Sequence, residues 1–190
     1  MGQRSIICVK VGNELIARYY QWNYGERMVS RARGLIEWLE DDLKYIEYLK
    51  SKIYRIADTN FDMKDVVVST DLVEEFKAWE QEADFNESIF YSGGNDGKLF
   101  ILIDGEDMKY AFTDNDMNVL NGAMGYLMWD RYEEGTEEDC LNNLPRGSKT
   151  YTKKNIAFLN KRKQMTQEEL DEQFMNNVFD NDPTKGERSK

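Results

Sequence analysis

Histidine is absent from the 190 residues of this chain, and its absence excludes several kinds of active site. Without an imidazole there is no Ser-His-Asp or Cys-His nucleophile system and no histidine that acts as general acid or base. The two cysteines, Cys8 and Cys140, have no motif spacing, so a zinc site lacks its usual ligand set. Any chemistry would rely on carboxylates, lysine, tyrosine or a hard cation held by carboxylates.

Proline and long apolar runs are also scarce. Both prolines, Pro145 and Pro183, lie in the last quarter of the chain, so proline interrupts no element before residue 145. No apolar run approaches the roughly 20 residues that span a bilayer, and the N-terminal apolar stretch is too short for a signal peptide. These features predict a soluble, cytoplasmic protein without a membrane partner, in which the thiols are reduced and Cys8 belongs to the core.

The composition is sufficient for a folded core. Hydrophobic residues make up 41% of the chain and aromatic residues 13%, and such side chains bury large areas. We expect one globular domain over residues 1–144, because the LPRG sequence at 144–147 is typical of a domain edge. Residues 145–190 would then form a basic arm, a short helix and a frayed tail.

Charge is distributed unevenly around the net value of −11. Residues 1–35 carry a net charge of +4, and residues 36–144, with 27 acidic and nine basic side chains, carry −18. Residues 145–165 hold seven basic and no acidic side chains, and residues 166–190 carry −4. Two interpretations are open: the basic segment pairs with the acidic body of the same chain, or the acidic surface complements a basic partner.

The first third of the chain predicts a hairpin and a long helix. Residues 5–11 are rich in β-branched side chains, Gly12-Asn13 is a turn signal, and residues 14–22 read as the returning strand. From Met28 to Ile56, apolar residues recur every three or four positions and predict one amphipathic helix over about 27–56.

The middle of the chain predicts a loop, a helix and three strands. Residues 58–62 have the D-x-N-x-D start of a calcium loop, but Met63 and Ser69 replace the required glycine and glutamate, so we interpret them as a polar loop. A second helix is predicted from residue 69 or 70 to about 83. Strands at 88–92, 98–103 and 108–112, separated by glycine-rich turns, form a predicted meander.

The last helices complete the predicted fold. Asp114, Asn115 or Asp116 could cap a third helix that closes at Gly135, although two internal glycines leave an extended alternative open. The TQEE sequence at 166–169 is a capping box that opens a final helix with Leu170 on its buried face. An N-terminal β-hairpin, a long amphipathic helix, a β-meander and C-terminal helices, without repeating βαβ units, indicate the α+β class.

The N-terminus carries a family resemblance. The opening MGQRSIICVKV, followed by ARYYQW at 17–22, resembles small uncharacterised proteins from phages and prophages of Firmicutes-type bacteria, many of which begin Met-Gly-x-Arg followed by a strand. The small, acidic, histidine-poor character of the chain is also similar to that of phage-encoded inhibitors of host defence, anti-CRISPR proteins among them. The resemblance implies a protein that acts in the cytoplasm of a bacterial host cell.

The first functional hypothesis is therefore an inhibitor that binds a basic, nucleic-acid-handling host or defence protein through its acidic surface. A body this acidic repels nucleic acid phosphates, and its carboxylates would mimic them in the groove of the partner. Two groups of partner-binding candidates lie on the predicted long helix and in an acidic loop at 133–139. They are Glu37, Glu40, Asp41, Asp42, Glu133, Glu134, Glu137, Glu138 and Asp139.

The second hypothesis assigns binding to the basic segment at 146–163. Tyr151 and Phe158 are interleaved with its cations, a pattern typical of single-stranded nucleic acid binding, although we favour the alternative, an arm that folds back on the acidic body. Its basic residues are Arg146, Lys149, Lys153, Lys154, Lys161, Arg162 and Lys163.

The third hypothesis is a metal-dependent nuclease or hydrolase that uses Asp, Glu and Mg²⁺. The best candidate cluster is Asp104, Glu106 and Asp107 at a strand end, where a turn is the simpler interpretation. No carboxylates show a diagnostic arrangement, so we favour a protein without catalytic activity and expect no cofactor.

Overall fold

A computed structural model describes residues 4–12, 14–21, 23–41, 43–44, 96–131, 134–145 and 147–175 of the chain. Helices and a mixed sheet are both present, and the predicted α+β class is confirmed. The polar loop at 58–62, the second helix at 69–83 and the strand at 88–92 lie outside the described residues. No helix in the described ranges combines the length and the apolarity needed to cross a membrane.

The predicted N-terminal hairpin is confirmed. Strands β1 (Arg4–Val11) and β2 (Glu14–Gln21) pair in antiparallel register from Arg4 opposite Gln21 to Val11 opposite Glu14. Gly12 occupies the turn with a φ of +58°, a left-handed conformation that glycine adopts without steric cost.

The hairpin and the two described strands of the predicted meander belong to one sheet. Strands β3 (Lys98–Asp104) and β4 (Asp107–Thr113) form the expected second hairpin, and β1 lies parallel to β3. A two-residue strand β5 (Lys163–Gln164) pairs with β4, which gives the strand order β2-β1-β3-β4-β5. The central strands are buried on both faces, since side chains of opposite orientation such as Cys8 and Val9 are both inaccessible.

Helix α1 (Gly25–Glu40) is amphipathic as predicted, but the described part of it ends earlier than expected. Asp41 is its C-cap, and the N–H of Leu43 donates to the carbonyl of Glu40 in the turn that follows. Acidic residues at 40 and 41 oppose the helix macrodipole, and no basic residue stands in the last turn. The predicted continuation through residues 45–56 lies outside the described residues.

Helix α2 (Gly122–Asp130) begins later than the predicted cap at 114–116, and that cap is wrong. The Asp114 carboxylate accepts backbone N–H bonds from Asp116 at 3.0 Å and Asn118 at 2.9 Å, so it closes a turn instead of opening a helix. Val119 then bridges back to Thr113, and the chain enters α2 at Gly122 with a φ of +66°.

Two further helices follow the sheet. Helix α3 (Glu137–Asn142) is short, and helix α4 (Lys149–Asn160) packs against α1 and α2. The domain boundary at residue 144 stays a prediction, and α4 beyond it contributes Ile156 and Leu159 to the core that α1 also lines.

The two faces of the sheet carry separate cores. Helices α1, α2 and α4 cover one face. The other face is covered by α5 (Gln167–Leu170), which the predicted Thr166–Glu169 capping box opens, and by a π-helix (Asp171–Met175) that continues it. Phe174 of this segment packs edge-on against Phe100 of β3, with 5.0 Å between ring centroids.

Candidate interaction surfaces

The predicted acidic loop is partly helical, because residues 137–142 form α3. Thr136 is the N-cap: its hydroxyl accepts the N–H of Asp139 at 3.1 Å, and the Asp139 carboxylate accepts the Thr136 N–H at 2.9 Å. This capping box satisfies backbone donors that a helix start leaves unpaired. The hydrogen bond from the Thr136 backbone also lowers the pKa of Asp139, so Asp139 has a structural role.

Helix α3 is anchored to the rest of the fold at its other end. Cys140 is fully buried and Leu144 nearly so, and both belong to the core on the α1 side of the sheet. Arg131, which follows α2, donates from Nη2 to the carbonyl of Asn143 at 2.9 Å. These contacts hold α3, including its first turn, in place against the rest of the fold.

Three carboxylates around this first turn are exposed: Glu134, Glu137 and Glu138, called here the acidic end. Glu137 and Glu138 occupy the first turn of α3, where the positive pole of the helix favours acidic side chains. None of the three forms an ion pair within the part of the chain that the structure describes. The acidic end thus presents negative charge that the described fold does not neutralise.

The acidic candidates on α1 differ in exposure and in their cation partners. Glu40 receives a bidentate ion pair from Arg162, with Nε to Oε1 at 2.8 Å and Nη2 to Oε2 at 2.9 Å. The Arg162 guanidinium also lies 3.3 Å above the centroid of the Phe158 ring. Glu40 is therefore part of the α1–α4 contact, whereas Glu37 and Asp41 are exposed.

The two acidic groups do not form one surface. Glu26, in the first turn of α1, lies 3.8 Å from Arg131, which also holds the end of α3. Glu37 and Asp41 stand at the opposite end of α1, about 20 Å away at 1.5 Å per residue. Asp42 and Glu133, the remaining acidic candidates, lie outside the described residues.

The described basic candidates fall into two sets, those that contact residues of the same chain and those that are exposed without an ion pair to a described carboxylate. Lys149 bonds to the side chain of Asn142, Arg162 pairs with Glu40, and Lys163 pairs with Asp107. Arg146 lies outside the described residues. Part of the basic segment therefore folds back onto acidic residues of the same chain. The remaining three, Lys153, Lys154 and Lys161, called here the lysine face, are exposed and form no ion pair with a described carboxylate.

A cleft of about 250 Å³ opens between the N-terminal halves of α1 and α4. We call it the α1–α4 cleft. Tyr151 stands in its lining and is 56% exposed. Most of the residues that line it have polar side chains; they are Glu26, Arg27, Ser30, Gly147, Ser148, Tyr151, Thr152 and Asn155.

This cleft was not predicted from the sequence, although a signal for it exists there. Thr152 and Asn155 are buried on the same side of α4 as Ile156 and Leu159. Polar residues at such positions of an amphipathic stripe indicate a packed polar contact or a polar cavity. Asn155 accepts a hydrogen bond from Arg33 of α1 at 3.0 Å, which joins the two helices beside the cleft.

The strand-end carboxylates proposed for metal chemistry lie at a turn. Asp104 ends β3, Glu106 lies in the turn, and Asp107 starts β4 and bonds to Lys163. All three are exposed. Among the described residues, no group of three or more His, Cys, Asp or Glu side chains is placed to hold a metal ion.

Asp130, at the end of α2, is the carboxylate with the most unusual surroundings in the described fold. Burial, together with the charge of the nearby Asp96, raises its pKa to about 7. The backbone N–H of Gly25 and the charge of Arg131 act in the opposite direction. The side chain is partly buried between the start of α1 and the loop before β3, so its charged form is disfavoured by the fold.

Asp130→Asn is expected to stabilise the protein increasingly as the pH rises. The pKa of this carboxyl increases from 3.8 to about 7 on folding, so the folded state is favoured below the unfolded value and loses stability as the pH rises through the folded value. Asparagine removes this loss and keeps an acceptor for Gly25. After allowance for partial exposure, we expect a gain of about 1–3 kcal/mol near pH 8.

Urea denaturation of the wild-type and Asp130→Asn proteins, below about pH 4 and near pH 8, measures this effect. Glu106→Gln, at an exposed turn position, serves as the control for loss of one carboxylate. A constant difference between Asp130→Asn and the wild-type protein across this pH range would contradict the assignment.

No protein-family model, no curated protein and no solved structure matches this chain.

Proposed function

We propose that this chain is a phage or mobile-element protein that binds and inhibits a basic, nucleic-acid-handling host or defence protein in the bacterial cytoplasm. The contact is made by the acidic end, Glu134, Glu137 and Glu138. One observation carries the proposal: the carboxylates of the acidic end are held in place by α3, and no described cation neutralises them. The Thr136–Asp139 capping box and the buried Cys140 fix the helix that presents the carboxylates.

The distribution of ion pairs supports the choice of the acidic end over α1. Glu40 is held by Arg162, and Glu37 lies 3.9 Å from Arg33 one helical turn earlier. A carboxylate that already has a cation partner must lose it, or share it, to bind a second one. Glu134, Glu137 and Glu138 have no such competing partner among the described residues.

The chemistry of the partner follows from the charge of this protein. With a net charge of −11, the chain is attracted to basic proteins and repelled by bare nucleic acid over most of its surface. A groove lined with lysine and arginine that normally holds phosphates complements a row of fixed carboxylates. Binding there would exclude the nucleic acid and thereby inhibit the partner.

Two variants with the same change in charge test this proposal. Glu137→Lys/Glu138→Lys alters the acidic end, and Glu37→Lys/Asp41→Lys alters the exposed carboxylates of α1 by the same four units. We expect tagged wild-type protein to capture one stoichiometric basic protein from bacterial lysate at low salt and to release it at high salt. We expect the α3 variant to lose at least nine-tenths of this capture and the α1 variant to retain it.

Several results would contradict the proposal. Capture that both variants retain would show that carboxylates do not make the contact, and loss in the α1 variant alone would move the contact to α1. If no protein is captured at low salt, the inhibitor function itself is wrong. Thermal unfolding of each variant verifies that the substitutions, all at exposed positions, leave the fold intact.

A further inference from the structure

A second surface, independent of the acidic end, carries chemistry that the proposed inhibitor function does not use. We propose that the α1–α4 cleft and the adjoining lysine face together bind single-stranded nucleic acid. The bases would stack on Tyr151, and the phosphates would contact Lys153, Lys154 and Lys161.

The lysine face has the required arrangement of charge. Lys153 and Lys154 are exposed on α4, and Lys161 is exposed at its C-cap. Lys154 and Lys161 are separated by seven residues, which places them about 10 Å apart along the helix axis. Their charge is not neutralised by a described carboxylate, and lysines of this kind bind phosphates by displacing counterions.

Tyr151 supplies the aromatic platform. Its 56% exposure makes it the one large hydrophobic side chain that is exposed within the described ranges. It stands between the lysine face and the cleft, three residues before Lys154 and therefore on a neighbouring part of the helix surface. An exposed ring bordered by cations is the combination that single-strand binding proteins use, because every base offers a face for stacking.

The cleft provides polar groups next to the ring. Ser30 and Thr152 contribute hydroxyl groups, Asn155 contributes an amide, and Arg27 contributes a cation from α1. Among the described residues of the lining, Glu26 is the one carboxylate, and Arg131 lies 3.8 Å from it. The lining is therefore compatible with a sugar or a base edge beside Tyr151.

Fluorescence anisotropy with labelled oligothymidylate and oligouridylate tests the proposal on purified, nuclease-treated, full-length protein. We expect saturable binding at low salt to one or both oligomers, and a comparison of the two shows whether DNA or RNA is preferred. Because three lysines are available, log K should fall with log salt concentration with a slope of about −2.

Variants of the lysine face and of Tyr151 separate the charge from the stacking contribution. Lys153→Glu/Lys154→Glu/Lys161→Glu should weaken binding more than tenfold and bring the salt slope close to zero. Tyr151→Ala should weaken binding about tenfold with the slope unchanged, while Tyr151→Phe should bind like the wild-type protein. If the glutamate variant is unstable, the corresponding triple glutamine variant replaces it. We expect that variant also to bind the oligomers more weakly than the wild-type protein, with a smaller loss of affinity.

The test of oligonucleotide binding does not depend on the proposed inhibitor function. Glu137→Lys/Glu138→Lys, which should abolish partner capture, should bind the oligomers at least as well as the wild-type protein. Absence of saturable binding at low salt, or unchanged affinity in the triple lysine variant, would overturn the proposal. Equal losses in Tyr151→Phe and Tyr151→Ala would overturn the stacking role of the ring.

Discussion

Gly97→Ala is expected to lower the free energy of unfolding by about 2–5 kcal/mol. Gly97 immediately precedes β3 and has a φ of +82°, a conformation that costs an L-residue roughly 1–2 kcal/mol. An added Cβ would also lie 2.6 Å from the carbonyl oxygen of Thr113 and 2.9 Å from the Trp129 ring. The Thr113 oxygen is a backbone atom of a paired strand, so the sheet must move to relieve the clash. Such a backbone shift typically costs about 1–3 kcal/mol of stability.

Gly105→Ala provides the matched control for this prediction. Gly105 has a comparable φ of +61°, but no atom lies within 4 Å of the position that its Cβ would take. We expect it to cost only the conformational part, about 1–2 kcal/mol. Urea denaturation of both variants separates the two contributions, and equal losses of stability would contradict the crowding at Gly97.

Phe174→Ala is the second substitution with a large expected effect, a loss of about 3–5 kcal/mol. The side chain is fully buried in the core on the α5 side of the sheet. It packs there with Phe100, Cys8 and Ile6. Truncation leaves a cavity between the π-helix and the sheet and removes the edge-on contact with Phe100.

Tyr151→Ala is the control for removal of an aromatic ring. This ring is 56% exposed, and substitution at such a surface position usually changes stability by no more than about 0.5 kcal/mol. Thermal or urea unfolding of the two alanine variants makes the comparison. A loss of unfolding free energy below about 1 kcal/mol for Phe174→Ala would show that residues 171–175 do not pack against the sheet in solution.

Elements set by neighbouring residues could be predicted from the sequence. The hairpin between β1 and β2 follows from β-branched strands around Gly12, and the start of α5 follows from the Thr166–Glu169 capping box. In both cases the signal and the structure it specifies lie within a few residues of each other. The inward face of α1 follows from the period of its apolar residues for the same reason.

Contacts between distant parts of the chain could not be predicted in this way. The parallel pairing of β1 with β3 joins Ile6 to Lys98 across about 90 residues, and no local pattern encodes it. Asp114 illustrates a second limit, because an aspartate can cap a helix or close a turn with the same hydrogen-bonding groups. Only the return of Val119 to β4 distinguishes the two outcomes.

The candidate surfaces could be predicted only in part, because the charge of a residue is evident from the sequence whereas its ion-pair partner is not. Charge segregation could be read directly, and it named the residues of both the acidic end and the lysine face. Which of the charged residues were paired could not be read, since Glu40 and Arg162 are 122 positions apart. In the fold Glu40 pairs with Arg162 and Asp139 caps α3, and the other described acidic candidates are exposed: Glu37, Asp41, Glu134, Glu137 and Glu138.

The salt dependence of partner binding tests the central claim most directly. The captured protein would be purified and its Kd measured by calorimetry at several salt concentrations, with wild-type protein, Glu137→Lys/Glu138→Lys and Glu37→Lys/Asp41→Lys. The account predicts a Kd that rises steeply with salt for the wild-type and α1 variants, and weak binding with little salt dependence for the α3 variant. A wild-type Kd that is insensitive to salt, or an α3 variant that binds like the wild-type protein, would contradict it.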